Sequence, residues 1–337
     1  MTGGDRHGIE AVTDPAMTGA SPRGDAVPEL TVIMVSYNTR ELTIVALETL
    51  FANAGRVTMD VIVWDNASSD GSADAIAARF ADRVRLVRSC ENLGFAAANN
   101  AAAASARTEW LLLLNPDTQT HPGAIENLLQ FAKAHPEAGI VGGRTVFPDG
   151  SLNIASCWNR MTIWSLFCRA TGLSRVFPGS AFFNPEAIGG WRRDSVRHVD
   201  IVVGCFLMIS KPTWEKLDGF RGKYFMFGEE ADLCLRAAGL GYRPMITPDA
   251  QIVHHVGASY ADNEERIIKV LKGRVTLIRD HWQRLARPIG IGLLLVWVLN
   301  RKTVEGSLSR FSKGAAGAPG PWRSVWERRG EWLPGYE

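Results

Sequence analysis

The feature that most constrains the fold is a repeated alternation of short apolar runs with helical patterns from Leu30 onward. The runs Leu30–Ser36 and Trp110–Leu114 are apolar almost throughout and have the length of strands buried on both faces of a sheet. Strand and helix patterns follow each other four times before Ile140. This order predicts a doubly wound α/β fold built on a mainly parallel sheet.

Polar residues follow each predicted strand at the point where the strand ends. The four segments are Ser36-Tyr37-Asn38, Asp65-Asn66, Asn92-Leu93-Gly94 and Asn115-Pro116-Asp117. In an open parallel sheet the ligand crevice lies outside the carboxyl ends of the strands. We therefore expect these segments to meet at one binding site.

The chain lacks the glycine-rich phosphate loops of common nucleotide-binding proteins, which counts against nicotinamide dehydrogenases and P-loop enzymes. Asp65 could contact the base or ribose of a nucleotide, or it could cap the following turn. A bound nucleoside diphosphate would need a cation, and Asp117 with Asn115 is the candidate site. The alternative is a turn before a helix, since Asn-Pro sequences favour turns.

Three carboxylates, Glu229, Glu230 and Asp232, follow the aromatic run Tyr224–Phe227. Such clustering costs repulsion and desolvation unless a cation, a substrate hydroxyl or a helix N-terminus requires it. His254 either completes a metal site or is a half-buried histidine bonded to backbone. Together with Asp117, these residues could bind a divalent cation and its diphosphate beside a general base.

Composition narrows the class of protein. The net charge of +2 gives no indication of a nucleic-acid partner. Five scattered cysteines without a C-x-x-C pair argue against disulfides or structural zinc and favour the cytoplasm. Residues 1–28 lack both periodicity and the apolar core of a signal peptide, so we expect a disordered segment there.

The C-terminal end differs in character from the rest of the chain. From Arg279 onward it carries ten Lys/Arg against five Asp/Glu, and five of the eleven tryptophans. Its apolar run Ile289–Leu299 is eleven residues long, too short to span a bilayer. We predict that residues 283–337 form a tail that associates with a membrane surface. The alternative is a core helix packed on the main domain.

Six segments together resemble the inverting family 2 glycosyltransferases of the GT-A fold, and within them the bacterial rhamnosyltransferase branch. They are Val32–Asn38, Asp65–Ser72, Asn92–Asn99, Leu114–Asp117, Phe227–Leu233 and His254-x-x-Gly257-x-Ser259. The resemblance covers about residues 29–282, which implies a GT-A domain over that range with a C-terminal helical extension.

The resemblance also implies roles for the matched residues. Glu230 stands where the family places its catalytic base, usually Asp, so Asp232 and Glu229 remain alternatives. Asp117 matches the last Asp of the family's D-x-D metal motif, and His254 the histidine that closes the site around Mg²⁺ or Mn²⁺. Asn115, where many relatives have Asp, implies a more substrate-dependent metal site. The implied donor-nucleotide residues are Ser36, Tyr37, Asn38, Asp65, Asn66, Asn92, Gly94, Asn99 and Asn115.

The implied reaction is sugar transfer from a dTDP- or UDP-sugar, first of all L-rhamnose from dTDP-rhamnose. The implied acceptor is a glycan or a polyprenyl-diphosphate-linked sugar of cell-envelope polysaccharide synthesis. The enzyme would then be cytoplasmic, or peripheral on the inner face of the cell membrane. Two alternatives are a hexosyl- or N-acetylhexosaminyltransferase on the same fold and a non-catalytic nucleotide-sugar-binding protein.

Overall fold

The computed structural model describes residues 28–255, 263–311 and 320–337. The N-terminal segment predicted to be disordered therefore lies outside the described residues, except for Pro28. Gly257 and Ser259 of the His254 motif lie outside them as well.

Most of the strands form one large central sheet, and several strands are only two residues long. Their bounds are β1 Leu30–Ser36, β2 Met59–Asp65, β3 Arg85–Arg88, β4 Trp110–Leu114, β5 Thr118–Thr120, β6 Ile140–Val146, β7 Leu152–Asn153, β8 Cys157–Trp158, β9 Arg197–His198, β10 Ile201–Val202, β11 Phe206–Ser210 and β12 Met245–His254.

The helices flank this sheet and continue past it at the C-terminus. Their bounds are α1 Arg40–Ala52, α2 Ser72–Phe80, α3 Gly94–Ala104, α4 Ala124–Ala134, α5 Ile163–Thr171, α6 Leu173–Val176, α7 Lys211–Lys216, α8 Glu229–Gly239, α9 Asn263–His281, α10 Arg287–Phe311, α11 Trp322–Glu327 and α12 Arg329–Trp332. A short 3₁₀ turn covers Pro136–Ala138.

The main sheet has the order β3-β2-β1-β4-β11-β6-β12-β5. The first four strands pair in parallel, as the alternation predicts, and β12 pairs in parallel with β6. Strand β11 lies antiparallel between β4 and β6. The doubly wound α/β prediction is therefore confirmed, with an antiparallel strand inside a mostly parallel sheet.

Two buried cores lie on the sheet, one of them including Ile33 and Leu113, the other Val32 and Leu112. The alternation of neighbouring residues between the cores follows from the two-residue period of a strand. It explains why β1 and β4 are almost entirely apolar, with Thr31 and Ser36 of β1 as buried polar exceptions.

A third core joins the C-terminal helices to the rest of the molecule. Leu294 and Val298 of α10 are buried with Leu271 of α9, Leu166 of α5 and Trp332 of α12. The apolar run Ile289–Leu299 thus has a packed face, whereas Ile289, Val296 and Leu299 remain exposed. No helix in the described ranges is long and apolar enough to cross a membrane.

Candidate active site

A cavity of about 1140 Å³ opens at the carboxyl ends of the strands. It is the site that the strand-end segments predict, and the N-terminus of α8 and one face of α9 complete its wall. The predicted site residues that line it are Tyr37, Asn38, Asn66, Asn92, Asn115, Asp117, Glu229, Glu230 and His254.

The remaining predicted residues do not line this cavity. Ser36 is fully buried and its hydroxyl is within hydrogen-bond distance of the Thr39 and Thr43 hydroxyls, at 3.1 and 3.0 Å. Asn99 donates from Nδ2 to Phe95 O at 2.8 Å and holds the start of α3. These two residues support the wall from behind.

Gly94 matters to the site because it allows two backbone segments to approach closely. Its φ is +80°, and a Cβ there would overlap the backbone and ring of Phe225. Only glycine permits this close approach without strain. The approach fixes the aromatic run before α8 against the loop that follows β3.

Amide side chains cross-link the loops that follow β2 and β3. Asn66 Nδ2 donates to Asn92 Oδ1 at 2.8 Å, and Leu93 N donates to Asn66 Oδ1 at 3.0 Å. Asp65 accepts from Ser68 N at 3.1 Å through Oδ2. Its Oδ1 is buried without a hydrogen-bond partner among the described residues. A nucleobase N–H is one donor that could satisfy that oxygen.

Asp117 and His254 are brought together by strand pairing. His254 of β12 stands opposite Thr118 of β5, and His255 N donates to Asp117 O at 3.0 Å. Both side chains are buried, and His254 Nε2 lies 3.4 Å from Asp117 Oδ1. Burial lowers the pKa of His254, but its neighbours Cys205 and Asp117 outweigh burial and raise that pKa to about 10.

Asp117 and His254 fit a divalent cation whose remaining ligands come from the substrate. In the described part of the chain, no group of three or more His, Cys, Asp or Glu is arranged to hold a metal ion. Asp117 Oδ1 and the buried His254 Nδ1 both lack hydrogen-bond partners there. Magnesium sites commonly use one or two carboxylates plus substrate phosphates and water. A carboxylate and an imidazole facing the cavity suit such a site, provided that the cation displaces the proton of His254 when it binds.

Glu229 and Glu230 begin α8 at a strained point of the backbone. Phe227 has a φ of +68° and Gly228 a φ of +101°, which turns the chain sharply into the helix. A positive φ is costly for a phenylalanine, and such strain often occurs at functional sites. The turn places both glutamates on the cavity wall.

The two glutamates differ in their ionisation. Burial and the charge of Glu230 raise the pKa of Glu229 well above its ordinary value. Burial also raises the pKa of Glu230, but backbone amides at the helix start oppose that effect. Glu230 is also the more exposed of the two. Burial therefore disfavours ionisation of both glutamates, and Glu230 is the one with access to the cavity solvent.

Asp232 is placed differently from its two neighbours. It is fully buried and bonded to His281 at 2.8 Å, Arg236 at 2.7 Å and Arg221 at 3.1 Å. Burial raises the pKa of Asp232, but its bond with His281 and the charges of Arg236 and Arg221 outweigh burial and lower it. This carboxylate ties α8 to α9, and it does not line the cavity.

Sequence reasoning missed the basic wall of the cavity. Arg266, Lys269 and Arg274 of α9 line it, together with Arg160 from the irregular region before α5. Lys269 and Arg274 follow Arg266 by three and eight residues, and these spacings are the signal that could have shown a shared helix face. Glu186, also on the wall, pairs with Arg274 at 2.5 Å and Arg169 at 3.1 Å. Its burial raises the pKa, yet the two arginines lower the pKa of Glu186 to about 2.

Comparison with known proteins agrees with this geometry. Residues 31–200 match the model of glycosyl transferase family 2. A curated relative from Mycobacterium tuberculosis, N-acetylglucosaminyl-diphospho-decaprenol L-rhamnosyltransferase, is 28% identical over 247 residues, covering 67% of this chain and 76% of the relative. The succinoglycan biosynthesis protein ExoO of Rhizobium meliloti is 33% identical over 113 residues, covering 34% of this chain and 32% of that protein.

Two solved structures share the fold. A mannosyltransferase of Pyrobaculum calidifontis, solved with GDP-Man and Mn²⁺, superposes with a TM-score of 0.54 at 20% identity, covering 93% of this chain and 87% of that one. GalNAc-T7, solved with UDP, GalNAc and Mn²⁺, gives a TM-score of 0.54 at 11% identity, covering 91% and 55%. The GT-A fold and the resemblance to rhamnosyltransferases are thereby confirmed, and the chain belongs to the family 2 glycosyltransferases.

Proposed function

We propose that this glycosyltransferase inverts the anomeric centre of a nucleoside-diphosphate sugar as it transfers the sugar to an acceptor hydroxyl, with Glu230 as general base. The observation that carries the proposal is the shared cavity. Glu229 and Glu230 line it together with the Asp117–His254 pair and the cross-linked amides of Asn66 and Asn92.

The chemistry is a single displacement. Glu230 takes the proton of the acceptor hydroxyl as its oxygen attacks the anomeric carbon of the donor. The bond from that carbon to the diphosphate oxygen breaks in the same step, so the new bond forms on the opposite face and the configuration inverts. Burial and the charge of Glu230 disfavour ionisation of Glu229, which limits the repulsion between the base and its neighbour.

Asp117 and His254 are the residues that would hold Mg²⁺ or Mn²⁺. A divalent ion there supplies positive charge to the departing nucleoside diphosphate. Asn115 adds a buried Oδ1 that has no hydrogen-bond partner among the described residues, and it lines the same cavity. The donor nucleotide would lie along Tyr37, Asn38, Asn66 and Asn92, with Asp65 behind them receiving the base.

For substrates we propose L-rhamnose from dTDP-rhamnose and a polyprenyl-diphosphate-linked acceptor of cell-envelope polysaccharide synthesis. The name of the Mycobacterium tuberculosis relative, at 28% identity, supports this choice. A lipid-linked acceptor also supports a cytoplasmic enzyme that works at the inner face of the membrane. The basic segment after residue 282 would contribute to that location.

A donor screen tests the proposal. Purified enzyme would be incubated with Mg²⁺ or Mn²⁺, a short-chain acceptor diphosphate and a panel of nucleotide sugars that includes dTDP-rhamnose, UDP-glucose and UDP-N-acetylglucosamine. We expect transfer from dTDP-rhamnose, with inversion visible in the anomeric NMR coupling of the product. Transfer from a UDP-sugar and not from dTDP-rhamnose would show that the proposed donor is wrong. Binding of donors without transfer or hydrolysis would indicate a nucleotide-sugar-binding protein.

A further inference from the structure

An aromatic surface lies on α5, α6 and the loop that follows them. Six large apolar side chains between residues 163 and 182 are each at least 38% exposed: Ile163, Trp164, Phe167, Val176, Phe177 and Phe182. Monomeric soluble proteins rarely leave such a cluster open, and larger apolar patches mark interaction sites. These six residues are called the aromatic surface below.

The aromatic surface is an ordered cluster. Trp164 stacks on Phe167 with ring centroids 5.5 Å apart and meets Phe182 at 4.9 Å. Phe183 links Phe182 to Phe177 at 5.0 and 5.1 Å. Trp164 Nε1 also donates to Phe182 O at 2.7 Å, which holds the loop on α5. The rings are therefore fixed in place while their outer edges remain exposed.

The chain segments that form this surface, and most of the helix that packs along α5, carry basic but no acidic side chains. No Asp or Glu occurs from Met161 to Pro185, and none from His281 to Val304. The second stretch includes most of α10, which packs along α5, with Asn300 Nδ2 donating to Ala170 O at 2.7 Å. Glu186 pairs with Arg169, but the exposed Arg175 of α6 adds positive charge within the surface itself, and α10 adds Arg301 and Lys302, which lie over Trp322 and Trp326. Basic charge beside exposed aromatic rings is complementary to a bilayer with anionic lipids.

The surface also adjoins the active-site cavity along the chain. Arg160 and Met161 line the cavity, and Thr162 caps α5 by accepting from Ser165 N at 3.0 Å. Ile163 and Trp164 of the aromatic surface follow immediately. A lipid-linked acceptor whose sugar reaches Glu230 would thus have an apolar route out along α5.

We infer that the aromatic surface enters the headgroup region of a bilayer that contains anionic lipids, and so positions the cavity for an acceptor held in that bilayer. The inference rests on the proposed lipid-linked acceptor. It assigns the main membrane contact to this surface and not to the tryptophans of the tail, because Trp297 is partly buried and packs against Trp322 and Arg169.

Vesicle co-sedimentation of the full-length protein tests this inference. Wild type should bind phosphatidylglycerol-containing vesicles more tightly than pure phosphatidylcholine vesicles, and the difference should shrink with salt. The double variant Val176→Ser/Phe182→Ser removes the two most exposed members and should weaken partitioning by about tenfold or more. The matched control is Phe147→Ser, which changes a side chain 39% exposed in the β6–β7 hairpin and should leave binding unchanged.

A charge variant and an activity assay complete the test. Arg175→Gln should weaken binding to anionic vesicles by about fivefold and leave neutral vesicles unaffected. The double variant should transfer sugar to a water-soluble acceptor at the wild-type rate, which also shows that it is folded. Equal sedimentation of wild type and double variant overturns the inference, whether or not transfer is observed. The inference is also overturned if the wild-type protein is a dimer that does not bind vesicles and the double variant is a monomer. Absence of transfer by wild type would instead reject the proposed function.

Discussion

Replacing Gly273 by alanine should disable the enzyme from a position outside the cavity lining. Gly273 lies in α9, where the helix crosses the backbone of Phe227 and Gly228 just before Glu229. A Cβ at residue 273 would fall 3.0 Å from Phe227 C and closer still to Phe227 O. Both neighbours are backbone atoms that cannot rotate away.

The magnitude follows from that overlap. Ordinary van der Waals contact begins at 3.4 Å, so α9 and the Phe227–Gly228 turn must separate by about 1 Å. A misplacement of about 1 Å in catalytic geometry can cost about 10²-fold in rate. Overpacking should cost about 1–3 kcal/mol of stability, offset by about 1 kcal/mol from the better helix propensity of alanine.

The assay compares kcat and unfolding of Gly273→Ala with those of Gly292→Ala. Gly292 is also inside a helix, but an added Cβ meets no atom within 4 Å. The control should keep its activity, whereas Gly273→Ala should lose about 10²-fold in kcat and still bind nucleoside diphosphate. Near-normal kcat in a folded Gly273→Ala protein would refute the reasoning that α9 sets the position of the base.

Three further changes test other parts of the site. Asp117→Ala, or EDTA treatment of wild type, should abolish transfer and weaken nucleoside-diphosphate binding in calorimetry; full activity in chelator would reject the metal site. Glu229→Gln should raise the melting temperature at pH 7 to 8 and have no effect near pH 4. The pKa of Glu229 is raised in the fold, so its ionisation costs stability at any pH above its pKa in the unfolded chain. A gain in melting temperature that is largest at low pH would contradict this. Asp232→Asn should lower the free energy of unfolding by about 3 kcal/mol at pH 7. The loss should shrink below about pH 4, because the pKa of Asp232 is lowered in the fold. Unchanged stability in a urea titration would show that the bonds of Asp232 to its three partners contribute little.

The parallel half of the fold was predictable because each strand and helix carries its own local pattern. The runs that form β1 and β4 are apolar and buried almost throughout, since both faces of the sheet are covered. The antiparallel insertion of β11 was not predictable in this way. It depends on pairings with β4 and β6, which are more than 60 residues distant along the chain, and no local pattern specifies such partners.

The candidate site divides in the same manner. Residues at strand ends, such as Asn66 and Asp117, could be placed because parallel topology brings strand ends together. The roles within the acidic cluster could not be separated from sequence. Only tertiary contacts show that Asp232 binds His281 and Arg236 while Glu230 faces the cavity. The aromatic surface likewise depends on which faces of α5 and α10 the fold covers.

The role of Glu230 is tested most directly by single-turnover transfer with Glu230→Gln beside Glu229→Gln. Glutamine preserves size and hydrogen bonding but cannot accept the proton, so Glu230→Gln should lose on the order of 10²-fold or more in transfer rate with donor affinity unchanged. Glu229→Gln removes a carboxyl group whose ionisation is already disfavoured by burial, so it should stay within about tenfold of wild type. Near-normal transfer by Glu230→Gln, with Glu229→Gln or Asp232→Asn inactive instead, would contradict the assignment of the base.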